Sequence, residues 1–298
     1  MQKITIVLAV GLLAVGACKK EEPASGSGGD KTGVAAPAGG IEVISNGAEP
    51  RKQLRYKVAK GTKTPVEFAM DIDMDAGMAM NMPTLAMMMD IGVDDVSGNG
   101  DMKLRTTVNS VTARDRAGAS VKASMLNGQL DMMNGLAMTA TLSPDGSLKD
   151  TKVEPGKNLP ASMQSQMSSM TQNLEQVAMP LPPGAVGVGA KWKAKKTIEQ
   201  NGMKMTTLNT VEITALDGDK MTFKSTSEIG GPDQTVHQNG MSIDMKNIEG
   251  GGTGSGTIDL TKLVMSGEFN VHFKAKMKAG EQNANMAMGM KLVLTPKS

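Results

Sequence analysis

Hydrophobic residues in this chain fall mostly at every second position. Val66, Phe68, Met70, Ile72 and Met74 alternate with mainly polar neighbours, and after Pro83 so do Leu85, Met87, Met89, Ile91 and Val93. A period of two marks a strand with one buried face. Gly98-Asn99-Gly100 separates the second run from Met102, Leu104, Thr106 and Val108, which predicts a hairpin. Residues 136–142 and 148–153 flank Ser143-Pro144-Asp145-Gly146 and predict another. The same order returns later, with strands at 192–200 and 203–216 joined by Asn201-Gly202, and Asp217-Gly218 making the next turn. Further strands are expected at 257–260, 263–277 and 286–294, with the Gly250 to Gly256 run as a mobile loop.

The two β-rich regions align. Ile91, Val93, Val96, Gly98, Met102 and Leu104 match Val211, Ile213, Leu216, Gly218, Met221 and Phe223, with hydrophobic parity kept on both sides of a turn. This predicts an internal duplication of residues 48–157 and 184–298, against the competing explanation of chance alternation.

One stretch departs from period two. Between 158 and 179, Met163, Met167, Met170, Leu174 and Val177 recur at spacings of four, three, four and three, an apolar stripe of helical period. Asn158 suits a cap, Pro160 is tolerated in the first turn, and Pro180, Pro182 and Pro183 end the ladder. The expected fold is mainly β (α+β): antiparallel meanders from two related halves form a curved sheet or half-barrel, with one long central helix packed on it. A two-sheet sandwich with the helix outside is the alternative.

Composition shows what fills the core. Aromatic residues make up 2% of the chain and there are 28 Met, so flexible thioethers fill volume that rings would otherwise take. Such an interior adapts to irregular shapes and specifies one packing less sharply. Net charge is +2, with both signs spread through the chain, which argues against a nucleic-acid surface. The single cysteine, Cys18, excludes an internal disulfide and a thiolate metal cage.

The N-terminus supplies an address. Lys3, the apolar run 4–15 and Val15-Gly16-Ala17-Cys18 read as a signal peptide of residues 1–17 with a small-residue cleavage site. The apolar run is too short to span a bilayer as a helix. Val15-Gly16-Ala17-Cys18 resembles the lipobox of bacterial lipoproteins, which implies an acylated, palmitate-bearing Cys18 as the mature N-terminus and membrane anchor. Lys19 and Lys20 stand where that family's inner-membrane retention signal would place an aspartate, which implies an outer-membrane address facing the periplasm. Residues 18–47, rich in Gly, Ser, Ala and Pro, form a tether with a reach of roughly 30 Å for a Gly-rich coil. Beyond it, the Tyr56-Lys57 strand start, the Asp/Gly turns, the Pro-terminated helix and Gly187-Val188-Gly189-Ala190-Lys191-Trp192 resemble an uncharacterised family of bacterial envelope lipoproteins. That resemblance carries no catalytic residue across.

Candidate chemistry is sparse. Asp71, Asp73, Asp75 and Gly77 approach a calcium loop, but the glycine is one place late and Met82 stands where the bidentate glutamate belongs. Met78, Met80 and Met82, Met87 to Met89, and Met286, Met288 and Met290 place soft thioethers together, the last three being the alternative Cu(I) ligands. Core packing explains them better, and no cofactor is expected. His237 and His272 lack a triad context, and the glycines of 184–191 open onto a strand, so no nucleotide loop follows. Lys274, Lys276 and Lys278 share one strand face and are a candidate contact for anionic headgroups. The expectation is a non-enzymatic envelope lipoprotein whose Met163, Met167, Met170 and Leu174 line a site for an apolar ligand such as an acyl chain. A scaffolding lipoprotein and a Cu(I) binder are the alternatives.

Overall fold

The computed structural model describes residues 40–154, 179–200, 203–238, 241–280 and 282–297. β1 (Ile41–Ser45), β2 (Lys52–Gln53), β3 (Lys63–Asp75), β4 (Ala79–Asn81), β5 (Thr84–Val96) and β6 (Met102–Arg114) precede a short helix, α1 (Ser124–Leu130). A single 3-10 turn at Asp131–Met133 extends α1, and β7 (Ala137–Leu142), β8 (Leu148–Glu154) and β9 (Ala185–Val186) follow. The rest is β10 (Lys191–Gln200), β11 (Met203–Asp217), β12 (Lys220–Gly231), β13 (Gln234–Gln238), β14 (Met241–Asp259), β15 (Val264–Ala279) and β16 (Gln282–Pro296).

Fourteen of these strands form one antiparallel sheet, in the order β1-β10-β11-β12-β14-β15-β16-β3-β5-β6-β7-β8, with β13 on β14 and β4 on β3. Two meanders are sewn together by the C-terminal strand, since β16 pairs with β15 on one side and with β3 on the other. The expected long central helix packed on the sheet is therefore a correction: the helical structure described is α1 and its 3-10 turn, and a single continuous sheet replaces the sandwich alternative as well. Apart from Met179, the stretch 158–179, with Met163, Met167, Met170 and Leu174, lies outside the described residues, as do Cys18 and residues 1–39. Direct β16–β3 pairing joins the meanders by backbone hydrogen bonds, so no helix is needed between them.

The sheet curls toward its apolar face. Val93, Met102 and Leu142 from one meander share a core cluster with Trp192, Ile213, Met221, Phe223 and Ile258 from the other. Leu54, Tyr56 and Val58 fill the space between them, with Tyr56 N–H donating to Pro144 O at 2.9 Å and Lys57 N–H to Leu260 O at 2.9 Å. The β2–β9 pair lies on the same segments, and buried Leu181 and Val186 complete the filling of this end, called here the Met102 end.

Both meanders use one register. Val93 pairs with Leu104 and Val96 with Met102 across an irregularity between Val93 and Asp95. Ile213 pairs with Phe223 and Leu216 with Met221 across one between Ile213 and Ala215. Val93 N–H donates to Thr62 O at 2.9 Å and Gly61 N–H to Val93 O at 2.8 Å; Ile213 N–H donates to Ala190 O at 2.9 Å and Gly189 N–H to Ile213 O at 2.8 Å. Gly61 and Gly189 both hold positive φ, 83° and 81°, which a residue with a Cβ adopts only under strain.

The glycine run is strand, inside β14, and not the expected loop. Gly254 pairs with Phe269 and Gly256 with Phe223, and the two rings lie 6.3 Å apart. A Cβ at Gly254 would overlap the Phe269 ring, and one at Gly256 would come within 2.5 Å of Ser266 O. Glycine here lets aromatic side chains lie against the strand backbone where the sheet bends.

Candidate functional site

Strand alternation sorts the side chains onto two faces. On the outer face, ion pairs bridge strands: Glu67 of β3 with Lys297, just after β16, and, across β5, with Arg114 of β6, at 2.7 Å each, Asp90 with Lys63 at 2.9 Å, and Glu268 with Lys291 at 3.0 Å. Hydrogen bonds first from Lys297 and then from Arg114 hold the Glu67 carboxyl below its ordinary value. The aspartates of the calcium-like stretch sit on this face. Arg116 reaches Asp71 at 3.8 Å and also pairs with Asp73, while Asp71 accepts from Thr84 Oγ1 at 2.5 Å and Asp75 from Gly77 N–H at 3.0 Å. A guanidinium thus sits where a metal ion would, and no cluster of three His, Cys, Asp or Glu side chains that could hold a metal occurs among the described residues. His272 is exposed on the outer side of β15, opposite Gly251 and Gly289.

The concave face is apolar and divides along the strands. At the Met102 end it is filled by the cluster already described. Toward the other end, where β15 finishes at Ala279, two separate clusters flank the middle of the sheet. Val236, Met245, Ile248, Phe273 and Ala275 form one, with Met203, Met205, Met277, Met286 and Met288 against it. Val108, Val111 and Leu136 form the other, with Met87, Met89 and Met138 beside Leu130 of α1 and Met133 of the 3-10 turn. Between them Phe68, Met70, Leu85, Met290, Leu292 and Leu294 remain half-buried and belong to none of the three clusters. Cross-strand pairing makes them one surface, with Phe68 opposite Leu294, Met70 opposite Leu292 and Leu85, and Ile72 opposite Met290.

A polar row crosses this face on β10 to β12. Thr207 pairs with Lys196, and Asn209 with Ser227, all half-buried. Burial pushes the Lys196 ammonium below its ordinary value of 10.5. The Trp192 indole, fully enclosed on the same strand, has an Nε1–H with no acceptor among the described residues.

The copper alternative fares differently from its sequence pattern. Met286 and Met288 pack on the Phe273 cluster, and Met290 stands between Val271 and Ile72. Alternate residues of one strand lie about 7 Å apart, so these three thioethers run along β16 and do not converge through spacing alone. Register instead aligns a different trio, Met80, Met74 and Met288, side by side on β4, β3 and β16. Sequence spacing could not show this grouping, because the three come from separate strands.

These features define an antiparallel β protein built on one large curled sheet with a methionine-lined concave face. The chain belongs to a family of unknown function, DUF6263, which matches residues 78–262 and so spans parts of both meanders. No curated protein matches it.

Proposed function

We propose that this protein is a lipid-anchored envelope lipoprotein that holds an apolar ligand, an acyl chain, on its concave face and performs no chemistry of its own. The observation that carries the reading is the half-buried apolar strip of Phe68, Met70, Leu85, Met290, Leu292 and Leu294 between two Met-rich clusters. Unbranched thioethers reshape around a chain with little strain, and each methylene removed from water contributes about 0.8 kcal/mol. The lipobox-like Val15-Gly16-Ala17-Cys18 supports acylation of Cys18 and a place at the outer membrane facing the periplasm.

The test is displacement of a fluorescent fatty acid by palmitate. Saturable binding is expected, and Met70→Asp or Met290→Asp, each placing a charge on the strip, abolishes it while Lys152→Asp on β8 does not. Folding of each variant is followed by the fluorescence of buried Trp192. Absence of saturable binding by the folded parent chain refutes the ligand reading.

A further inference from the structure

We infer that the outer face at the Ala279 end of the sheet is a docking surface for anionic phospholipid headgroups. Lys246 of β14 stands directly opposite Lys276 of β15, and Lys278 lies between Asp244 and Asn283. Lys246, Lys276 and Lys278 are exposed, and none of them forms an ion pair among the described residues. Elsewhere on this face the same strands neutralise their lysines, as in Lys274–Glu249 at 2.9 Å and Lys291–Glu268 at 3.0 Å. Asp244, the carboxylate lining the patch among the described residues, accepts from Thr235 Oγ1 at 2.7 Å. Like charges placed directly opposite each other in a sheet are destabilising, so an anion bound between them removes a cost that the fold otherwise carries.

The shape suits that anion. Lys246, Lys276, Lys278, Asn283 and Asn285 line, with Asp244, Met277 and Ala284, an open depression of about 380 Å³, in which three ammonium groups outnumber the one described carboxylate and amide N–H groups add donors a phosphodiester accepts from.

The second observation is the direction of the chain. β1 pairs antiparallel with β10, with Ser45 opposite Lys191 and Ile41 opposite Ala194, and Lys195 N–H donates to Gly40 O at 3.4 Å. β1 therefore runs away from the side of Gln200 and Met203, which through β11, β12 and β14 is the Ala279 end. Traced back to its start, the first described strand thus points toward the end that holds the unpaired lysines. This orientation rests on the anchored reading, and it turns the Met-lined part of the concave face toward the bilayer from which an acyl chain would come.

The test uses the full chain as Cys18→Ser, so that acylation makes no contribution. Sedimentation with phosphatidylglycerol-containing vesicles at low salt is compared with pure phosphatidylcholine vesicles. Binding only to the anionic vesicles, falling as salt is raised, is expected. Each lysine near an anionic surface contributes roughly fivefold to partitioning, so Lys246→Gln, Lys276→Gln and Lys278→Gln together weaken it at least about tenfold. The control Lys103→Gln, Lys149→Gln and Lys152→Gln, with the same loss of charge elsewhere, stays within about twofold of the parent. Fatty-acid displacement by the patch variant remains at the parent level, which separates this surface from the ligand face. Four results overturn the inference: no preference for anionic vesicles, equal loss in both triple variants, no loss in the patch variant, or full competition by inorganic phosphate, which would make the cleft a free-anion site.

Discussion

Gly254→Ala tests whether the glycines of β14 are the device that lets the sheet bend. The added methyl overlaps the Phe269 ring, which cannot stay in place against Phe223 at its present 6.3 Å separation. Displacing the ring forfeits an aromatic pair worth about 0.5–1.5 kcal/mol and overpacks the face by about 1–3 kcal/mol. The expected destabilisation is about 2–4 kcal/mol, large against the whole stability of an ordinary domain. Gly289→Ala is the counterpart, because nothing lies within 4 Å of a Cβ built there, and lowering the entropy of the unfolded chain should add about 0.4–1 kcal/mol.

Urea unfolding followed by Trp192 fluorescence measures both, since this is the only tryptophan and is fully buried. The slope against denaturant should not change, so the midpoints carry the difference. Phe269→Leu in the Gly254→Ala background should recover part of the loss, with a coupling of about 1 kcal/mol. A Gly254→Ala protein as stable as the parent, or a Gly289→Ala protein equally destabilised, would refute the close-approach argument.

Cys18→Ser should move the protein from the outer-membrane to the soluble periplasmic fraction on cell fractionation; continued sedimentation with membranes would show that acylation is not the anchor. Glu67→Gln should cost about 1 kcal/mol near neutral pH, discounted for the partial exposure of Arg114 and Lys297. Because the fold lowers this carboxyl from its ordinary 4.5, its stabilisation is present above that value and lost as pH falls through the depressed one, so urea midpoints of variant and parent should converge in acid. A Cu(I) competition titration should show no sub-micromolar site; if one appears, loss on mutating Met286 and Met290 would point to the β16 run, and loss on mutating Met74 and Met80 to the cross-strand trio.

What was legible in the sequence was local. Alternation at 66–74 and 85–93 and the turns at Asn99-Gly100 and Asp145-Gly146 correspond to β3, β5 and two hairpins, because period two and turn chemistry need only near neighbours. The glycine run at 250–256 misled because glycine in a loop and glycine under an aromatic ring look alike until Phe223 and Phe269 are known to be adjacent. Helix α1 escaped because its packing, Leu130 included, is made mainly with β6 and leaves no fully buried residue in the helix itself. The β16–β3 pairing was invisible for a plainer reason: its partners are separated by most of the chain, and no turn connects them.

That pairing also bears on what the concave face is for. Without β16, each meander would leave a long inner strand edge open, at β15 and at β3, and such edges invite pairing with another chain. β16 satisfies both, from Gly267 to Ala279 on one side and from Val66 to Asp75 on the other. The edges that remain are protected in other ways: β1 is only five residues long, and β8 carries Lys149, Asp150 and Lys152. A sheet whose long inner edges are paired but whose middle carries a half-buried strip of Met70, Met290 and Leu292 presents side-chain surface there, not backbone, to a partner. Such a surface suits a flexible apolar chain, which gains from area and adaptable packing and needs no hydrogen-bond partners, better than it suits an extended peptide.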